Sequence, residues 1–237
     1  IIKKGFRTTE HRGKIQRYKC KQCQRSFCLD IGFHRMRNSE KVITRSIDAY
    51  LSNLSSRKMR NHLKRHDDTK VSHVSILDWV RRYVLKVYRF VSKLCPKLSG
   101  KIYADETMIR RGSTGHDDVF WCSVDWDTRF IGATLYSPCD QDTDDAIELF
   151  KRIKIHGLPK YVQTDAAQFY PSAFRKVFYK NTYKQGESPE HRVVNTHKTG
   201  RNNVRIETVF SKIKDREDDL RGLKALWSAP ILMAGIV

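Results

Sequence analysis

Lys101-Ile102-Tyr103-Ala104-Asp105 and Tyr161-Val162-Gln163-Thr164-Asp165 are the two stretches that decide how this chain folds. Each is a short run rich in β-branched and aromatic residues, as strands are, and each ends on an aspartate. A carboxylate at a strand end is a poor core residue, because an unpaired charge is expensive to bury. A third acid, Glu207, stands in Asn202-Asn203-Val204-Arg205-Ile206-Glu207, where a long helical pattern opens. Three carboxylates collected by one fold make an oxygen cage suited to Mg²⁺ or Mn²⁺.

Outward from these stretches, the pattern predicts strands at 101–105, 119–126 and 130–136, a helix at 143–153 and a strand at 160–164. A helix at 168–179, a short strand at 192–194 and a helix at 203–220 follow. This β-β-β-α-β-α-β-α order is that of the α/β ribonuclease H-like fold, a mixed sheet with helices on both faces. Its first and fourth strands are neighbours, so Asp105 and Asp165 are expected to meet, with Glu207 closing the site from a helix.

The charge lies almost wholly ahead of that region. Residues 1–104 hold 26 Lys+Arg against 7 Asp+Glu, a net of +19, whereas residues 105–237 hold 20 against 19, a net of +1. So much single-sign charge favours a polyanionic partner, and nucleic acid fits best. No apolar run approaches the ~18 residues of a membrane span, and no signal peptide is evident. The chain opens on Ile1-Ile2-Lys3 without methionine and stops inside the apolar run from Ala229 to Val237, so both ends are expected to be cut. Six cysteines in a reducing compartment suggest one metal pair plus buried singles.

Cys20-Lys21-Gln22-Cys23 sits at a hairpin-like tip bounded by Tyr18 and Phe27. Two thiolates at this spacing can share one tetrahedral Zn²⁺, but a closed site needs four ligands. The residues leave three accounts open. A first Cys-x-x-Cys lay before Ile1, giving a partial zinc ribbon over 1–34; Cys28 and His34 complete a local set; or the pair is metal-free.

Residues 38–98 read as helices. Ser39 caps one carrying Val42, Ile43, Ile47, Tyr50 and Leu51; Ser55 or Ser56 caps a second with Met59 and Leu63 inward. Ser75 with Asp78 resembles a capping box for a third, whose apolar face is Ile76, Trp79/Val80, Tyr83/Val84, Val87 and Val91. Two short helices and a basic one fit a helix-turn-helix module, with Arg81, Arg82 and Lys86 on the helix that enters the major groove. A basic connector without DNA contacts is the plainer alternative. His62 and His66 lie one turn apart, but Leu63 stands where a zinc protease needs glutamate, so solvated histidines are expected.

Lys212, Lys214 and Arg216 follow Glu207 on one helix and are candidate phosphate contacts, a solvated face being an equally good account. Asp140-x-Asp142-x-Asp144 imitates a calcium loop, but Asp145 and Lys151 stand where glycine and glutamate are needed, so an acidic helix start is expected. Glu106 and Asp125 are expected to lie behind the ligands at most. Cys95, Cys122 and Cys139 are expected to be buried small hydrophobes.

Asp105-Glu106-Thr107, Phe120-Trp121-Cys122-Ser123-Val124-Asp125, Thr164-Asp165 and Asn202-Asn203-x-x-Ile206-Glu207, in that order, resemble bacterial and archaeal insertion-sequence transposases of the DDE class. The resemblance implies a catalytic domain over 100–237, with Asp105, Asp165 and Glu207 as its metal-binding triad. It implies hydrolysis at the ends of an element in double-stranded DNA, then attack of the freed 3′-hydroxyl on target DNA, with two Mg²⁺ or Mn²⁺ ions assisting. It also implies a homodimer bridging two ends, in the cytoplasm of a prokaryote near the nucleoid, without a membrane. Two other functions remain open: a ribonuclease H-like nuclease that cuts without joining, and a non-catalytic DNA-binding remnant.

Overall fold

The computed structural model describes the chain except residues 11–12, 30–31, 34–35, 113–115, 139–141, 180–187, 195–203, 221–222 and 224, and the side chains of His116 and Leu220. His34, Cys139, Asp140, Asn202 and Asn203 therefore lie outside the described residues. Two units are present, Ile1–Trp79 and Val80–Val237.

The first unit opens with an antiparallel sheet of order β1-β2-β3, formed by β1 (Ile2–Thr9), β2 (Gly13–Lys19) and β3 (Ser26–Cys28). Helix α1 (Glu40–Leu51) starts where the Ser39 hydroxyl accepts from the Val42 amide, and α2 (Ser56–His66) where Ser55 accepts from Lys58. Ile43, Tyr50, Met59, Leu63 and Ile76 are buried, as their helical spacing predicts. Helix α3 (His73–Val91) begins earlier than expected. Ser72, not Ser75, accepts from the Ser75 amide at 3.0 Å, so the box at Ser75 is one turn too late. The apolar stripe also leaves the core after Val84: Val87 is 60% exposed and Val91 36%. Cys95 is exposed, against expectation.

The second unit has the α/β layout and element order that the sequence predicts. Its five-stranded sheet runs β6-β5-β4-β7-β8, from β4 (Lys101–Arg111), β5 (His116–Asp125), β6 (Ile131–Ser137), β7 (Tyr161–Thr164) and β8 (Glu190–Val193). β5 pairs antiparallel with both β4 and β6, while β7 pairs parallel with β4 and β8. Alternation along β4 feeds two cores. Ile102 and Ala104 join Trp121, Leu149, Phe150 and Phe174 on the side of α4 (Thr143–Ile155) and α5 (Phe169–Phe178). Tyr103 and Ile109 join Phe120, Ile206, Phe210 and Met233 on the side of α6 (Val204–Leu220) and α7 (Ala229–Ile236). Among the described residues, no helix is long and apolar enough to cross a membrane.

One boundary differs in a way that matters. β4 does not stop at Asp105 but continues to Arg111, because β5 pairs with it along its whole length and Ile109 is fully buried. Asp105 is therefore mid-strand, and only β7 ends at the level of the acids.

Gly100 sets the start of the β4–β7 pairing. Its carbonyl accepts from the Lys160 amide at 2.8 Å and the Tyr161 amide at 3.2 Å, at a φ of +80°. A Cβ there would meet the Lys160 nitrogen at 3.1 Å. Gly100→Ala is expected to lower unfolding free energy by about 2 kcal/mol, the cost of a left-handed L-residue plus a displaced neighbour. Urea denaturation measures it, and an unchanged midpoint would contradict this role.

Candidate metal centre

β4 and β7 pair at Lys101↔Tyr161, Ile102↔Val162 and Tyr103↔Gln163. Continued two steps, this register sets Asp165 level with Asp105. Because β7 ends at Thr164 while β4 runs on, the edge of β4 beyond that point is uncovered by β7. Side chains from both faces of β4 can lean across that edge. They do so: one oxygen each of Asp105, Glu106 and Asp165 lies within 4.8 Å of the others. Among the described residues this is the only such group of three potential ligands.

Glu106 is the member that the sequence reading set behind the ligands. Alternation sends neighbours to opposite faces, so a reading along β4 places Asp105 and Glu106 apart. Glu106 reaches the group from the α5 side, where the buried Tyr170 hydroxyl donates to its carboxylate. The available signal was the Asp-Glu pair itself, two acids at one strand position where one is already costly. Asp105 accepts from the Glu106 amide at 3.0 Å, and Asp165 accepts from the Ala167 amide at 3.0 Å.

Glu207 lies in the first turn of α6 and is exposed, outside the group of three. It is close enough for its charge to act on Asp105. Of the basic residues after it, Lys212 is exposed, whereas the Lys214 ammonium is held by Glu217 at 3.0 Å and by the Met108 carbonyl. Arg216 is 1% exposed, so the solvated face expected at this position does not extend to it. Arg81 sits over the Trp227 ring at 4.5 Å, Lys86 over Tyr83 at 5.1 Å, and Arg82 is exposed.

Asp125 stands elsewhere. It pairs with Ile102 at the opposite end of the strand, buried, and accepts from the Ser99 amide and hydroxyl, the Gly100 amide, and the Thr128 amide and hydroxyl. It closes a turn. Asp142 accepts from the Asp145 amide as the cap of α4, in keeping with an acidic helix start. Cys122 is buried opposite Asp105, and burial pushes its thiol far up. One histidine does come near: His191 Nε2 lies 3.0 Å from the Thr164 hydroxyl, beside Asp165, with its ring stacked on Phe174.

In the first unit, the Cys20 thiol is held below its usual range by the amides of Cys23 and Gln22, then by the Cys23 side chain. Cys28 does not gather with this pair.

Burial raises Asp105 to about 7, and the charges of Asp165 and Glu207 add to the effect. Burial likewise raises Glu106 to about 7, with Asp105 and Asp165 adding and the Tyr170 hydrogen bond opposing. Folding thus favours the protonated acids over their ordinary 3.8 and 4.5. Their contribution is most favourable at low pH and is lost as pH rises from about 4 to about 7. A cation that binds the ionised carboxylates offsets that loss. Mn²⁺ is therefore expected to raise the thermal midpoint more at about pH 8 than at about pH 5.5. Equal shifts at both pH values, read by scanning calorimetry, would count against a carboxylate cation site.

A family model, DDE_Tnp_IS240, described as a DDE domain, matches residues 100–237. No curated protein sequence matches the chain. Among solved structures, the chain is similar to one in the simian T-cell lymphotropic virus intasome in complex with PP2A regulatory subunit B56 gamma. That likeness has 14% identity and a TM-score of 0.36, over 73% of this chain and 58% of that one. It is also similar to RNase H1 from the halophilic archaeon Halobacterium salinarum NRC-1, at 14% identity and a TM-score of 0.25, over 44% of this chain and 92% of that one. The chain thus spans more than half, but under two thirds, of the intasome chain. The family match covers more than half of this sequence and contains Asp105, Asp165 and Glu207; the chain belongs to the DDE-domain transposase family.

Proposed function

We propose that this protein is a DNA transposase that hydrolyses phosphodiesters at the ends of an insertion sequence and joins the freed 3′-hydroxyls to target DNA. The observation that carries this reading is the convergence of Asp105, Glu106 and Asp165 inside the DDE match. A set of carboxylate oxygens suits Mg²⁺ or Mn²⁺, and Asp105, Asp165 and Glu207 are its proposed ligands. A bound divalent ion supplies Lewis acidity to the attacking and leaving oxygens. The chain's own part is to gather and aim the carboxylates, while the bound cation would favour their ionised form. The Ala167 and Glu106 amides orient Asp165 and Asp105, and the wall of Trp121, Phe169 and Tyr170 keeps one side of the centre apolar.

The remaining assignments follow the same reading. Residues 1–34 are a partial zinc ribbon, 38–98 a helix-turn-helix module and 100–237 the catalytic domain. The short turn between α1 and α2, Ser52–Ser55, supports the second of these. Arg81, Arg82, Lys86, Lys212 and Lys214 are proposed to face DNA; Arg216 is left to the fold. A homodimer would bring two element ends together.

The test is incubation of the purified chain with Mn²⁺ and supercoiled plasmid plus a labelled duplex bearing a free 3′-hydroxyl. Nicking and joining are both expected. Asp105→Asn, Asp165→Asn and Glu207→Gln should each lower the rate by at least about 10³, as loss of a metal-held transition-state contact implies. Nicking without joining would mean a nuclease, and DNA binding without either would mean a remnant.

Zinc tests the first unit. Cys20 and Cys23 alone cannot close a tetrahedral site. Metal analysis should find less than one zinc per chain, lost in Cys20→Ala and unaffected in Cys28→Ala. Full occupancy that disappears in Cys28→Ala would restore the local four-ligand account.

A further inference from the structure

A row of aromatic and cationic side chains crosses the α6 face of the sheet beside the carboxylates. The Arg205 guanidinium lies 4.7 Å from the Trp126 ring centre, and Trp126 stacks on Tyr103 at 4.7 Å. Tyr103 meets Tyr161 edge-on at 6.2 Å, and Arg192 lies 3.7 Å over Tyr161. Two of the five share elements with the proposed ligands, and a third lies on the strand that leads into one. Tyr103 precedes Asp105 by two residues on β4, Tyr161 precedes Asp165 by four along β7, and Arg205 precedes Glu207 by two on α6. At ~3.3 Å per strand residue and ~1.5 Å per helix residue, the Tyr103 and Arg205 backbones stand roughly 3–7 Å back from the acids, and the Arg205 side chain reaches further back, to Trp126, whose amide donates to the Lys101 carbonyl. That sets the guanidinium two or more nucleotide steps from the acids, at ~3.4 Å each.

The two ends of the row are not equivalent. Arg192 is already paired with Glu190 at 2.7 Å. Among the described residues the Arg205 guanidinium has no hydrogen bond or ion pair, only the indole face beneath it. A packing role alone needs no charge there, since Ile206 and Phe210 already fill the core on this side. A guanidinium held over a ring loses less freedom on binding, and its fork of N–H donors matches two oxygens of a phosphate.

We propose that Arg205, positioned by Trp126, binds a phosphate a few nucleotides from the scissile one on the DNA strand at the metal centre. This rests on the transposase reading above. The contact would have two consequences. It would set the register of the strand relative to Glu207, two residues further along α6. It would also place one fixed positive charge along the path of the backbone leading to the carboxylates. Trp126 and Arg205 act as a unit, because removing the ring leaves the charge present but unaimed.

The test uses the full chain and a fluorescein-labelled duplex, with binding read by anisotropy across a salt series. Ca²⁺ is the cation, as an oxygen-seeking ion of the same charge. Arg205→Ala should weaken binding about tenfold and reduce the slope of log affinity against log salt by ~0.9, one phosphate contact. Arg205→Lys should keep the slope and recover only part of the affinity. Trp126→Leu should likewise keep the slope while losing affinity. Circular dichroism verifies that each variant folds. An Arg205→Ala protein with wild-type slope and affinity overturns the proposal, as does a lower melting temperature accompanied by unchanged DNA binding. A wild-type chain that binds duplex but neither nicks nor joins it sinks the transposase reading instead, and the slope comparison still decides Arg205.

Discussion

The parallel pairing of β4 with β7, and its early end, is the constraint on which the metal centre depends. Gly100 fixes where the pairing starts by accepting from two successive amides of the partner strand. β7 is four residues long, so it ends at Thr164 while β4 has seven residues still to run. The antiparallel partner β5 keeps β4 straight through that stretch. An edge of β4 is thereby left without β7 beside it at the one level where three acids occur. Shift the register by one residue and Asp105 exchanges faces with Ala104 or Glu106.

Among the described residues, two acids of this sheet are fully buried and the pair Asp105 and Glu106 is half-buried, and their surroundings differ. Asp118 is fully buried but faces the Arg111 guanidinium at 2.7 Å and accepts from the Tyr136 hydroxyl. Asp125 is fully buried and accepts from five N–H and O–H donors. Both are satisfied, and Asp125 is held below its ordinary range although burial pushes the other way. Asp105 and Glu106 face each other and Asp165, and burial raises both. A fold that satisfies two acids nearby and gathers three others at one place has a group that could hold a cation.

The long α6 links this centre to the rest of its unit. Its inner face, Ile206, Phe210 and Ile213, packs into the core, while Glu217 accepts from the Arg110 amide and pairs with Lys214. These contacts fasten the later turns to β4. They leave the first turn, with Arg205 and Glu207, at the carboxylates' side. The basic N-terminal unit is arranged differently. Its charge is spread over β1 to β3 and the helices, and most of its lysines and arginines are exposed, a surface suited to sequence-independent attraction of a polyanion.

The strand and helix order of the second unit was legible in the sequence. β-branched and aromatic runs and helical spacing depend on neighbours only a few residues away. Asp105, Asp165 and Glu207 stood out for the same reason, since a charge beside an apolar run is visible wherever the fold places it; the structure gathers the first two with Glu106 and leaves Glu207 outside that group. The length of β4 was not, because Met108, Arg110 and Arg111 look like the start of a loop until β5 pairs with them. Nor was Glu106, whose place at the centre depends on where another strand ends, or the outward turn of α3 after Val84, where helical periodicity continues without a core to meet it. Arg216 read as a candidate phosphate contact or one more charge on a solvated helix, yet it is buried. The sequence alone determined which elements form and which acids stand out beside them, since both follow from local composition. Only the tertiary structure decided which side chains share a point in space, because that is set by the registers and ends of strands far apart along the chain.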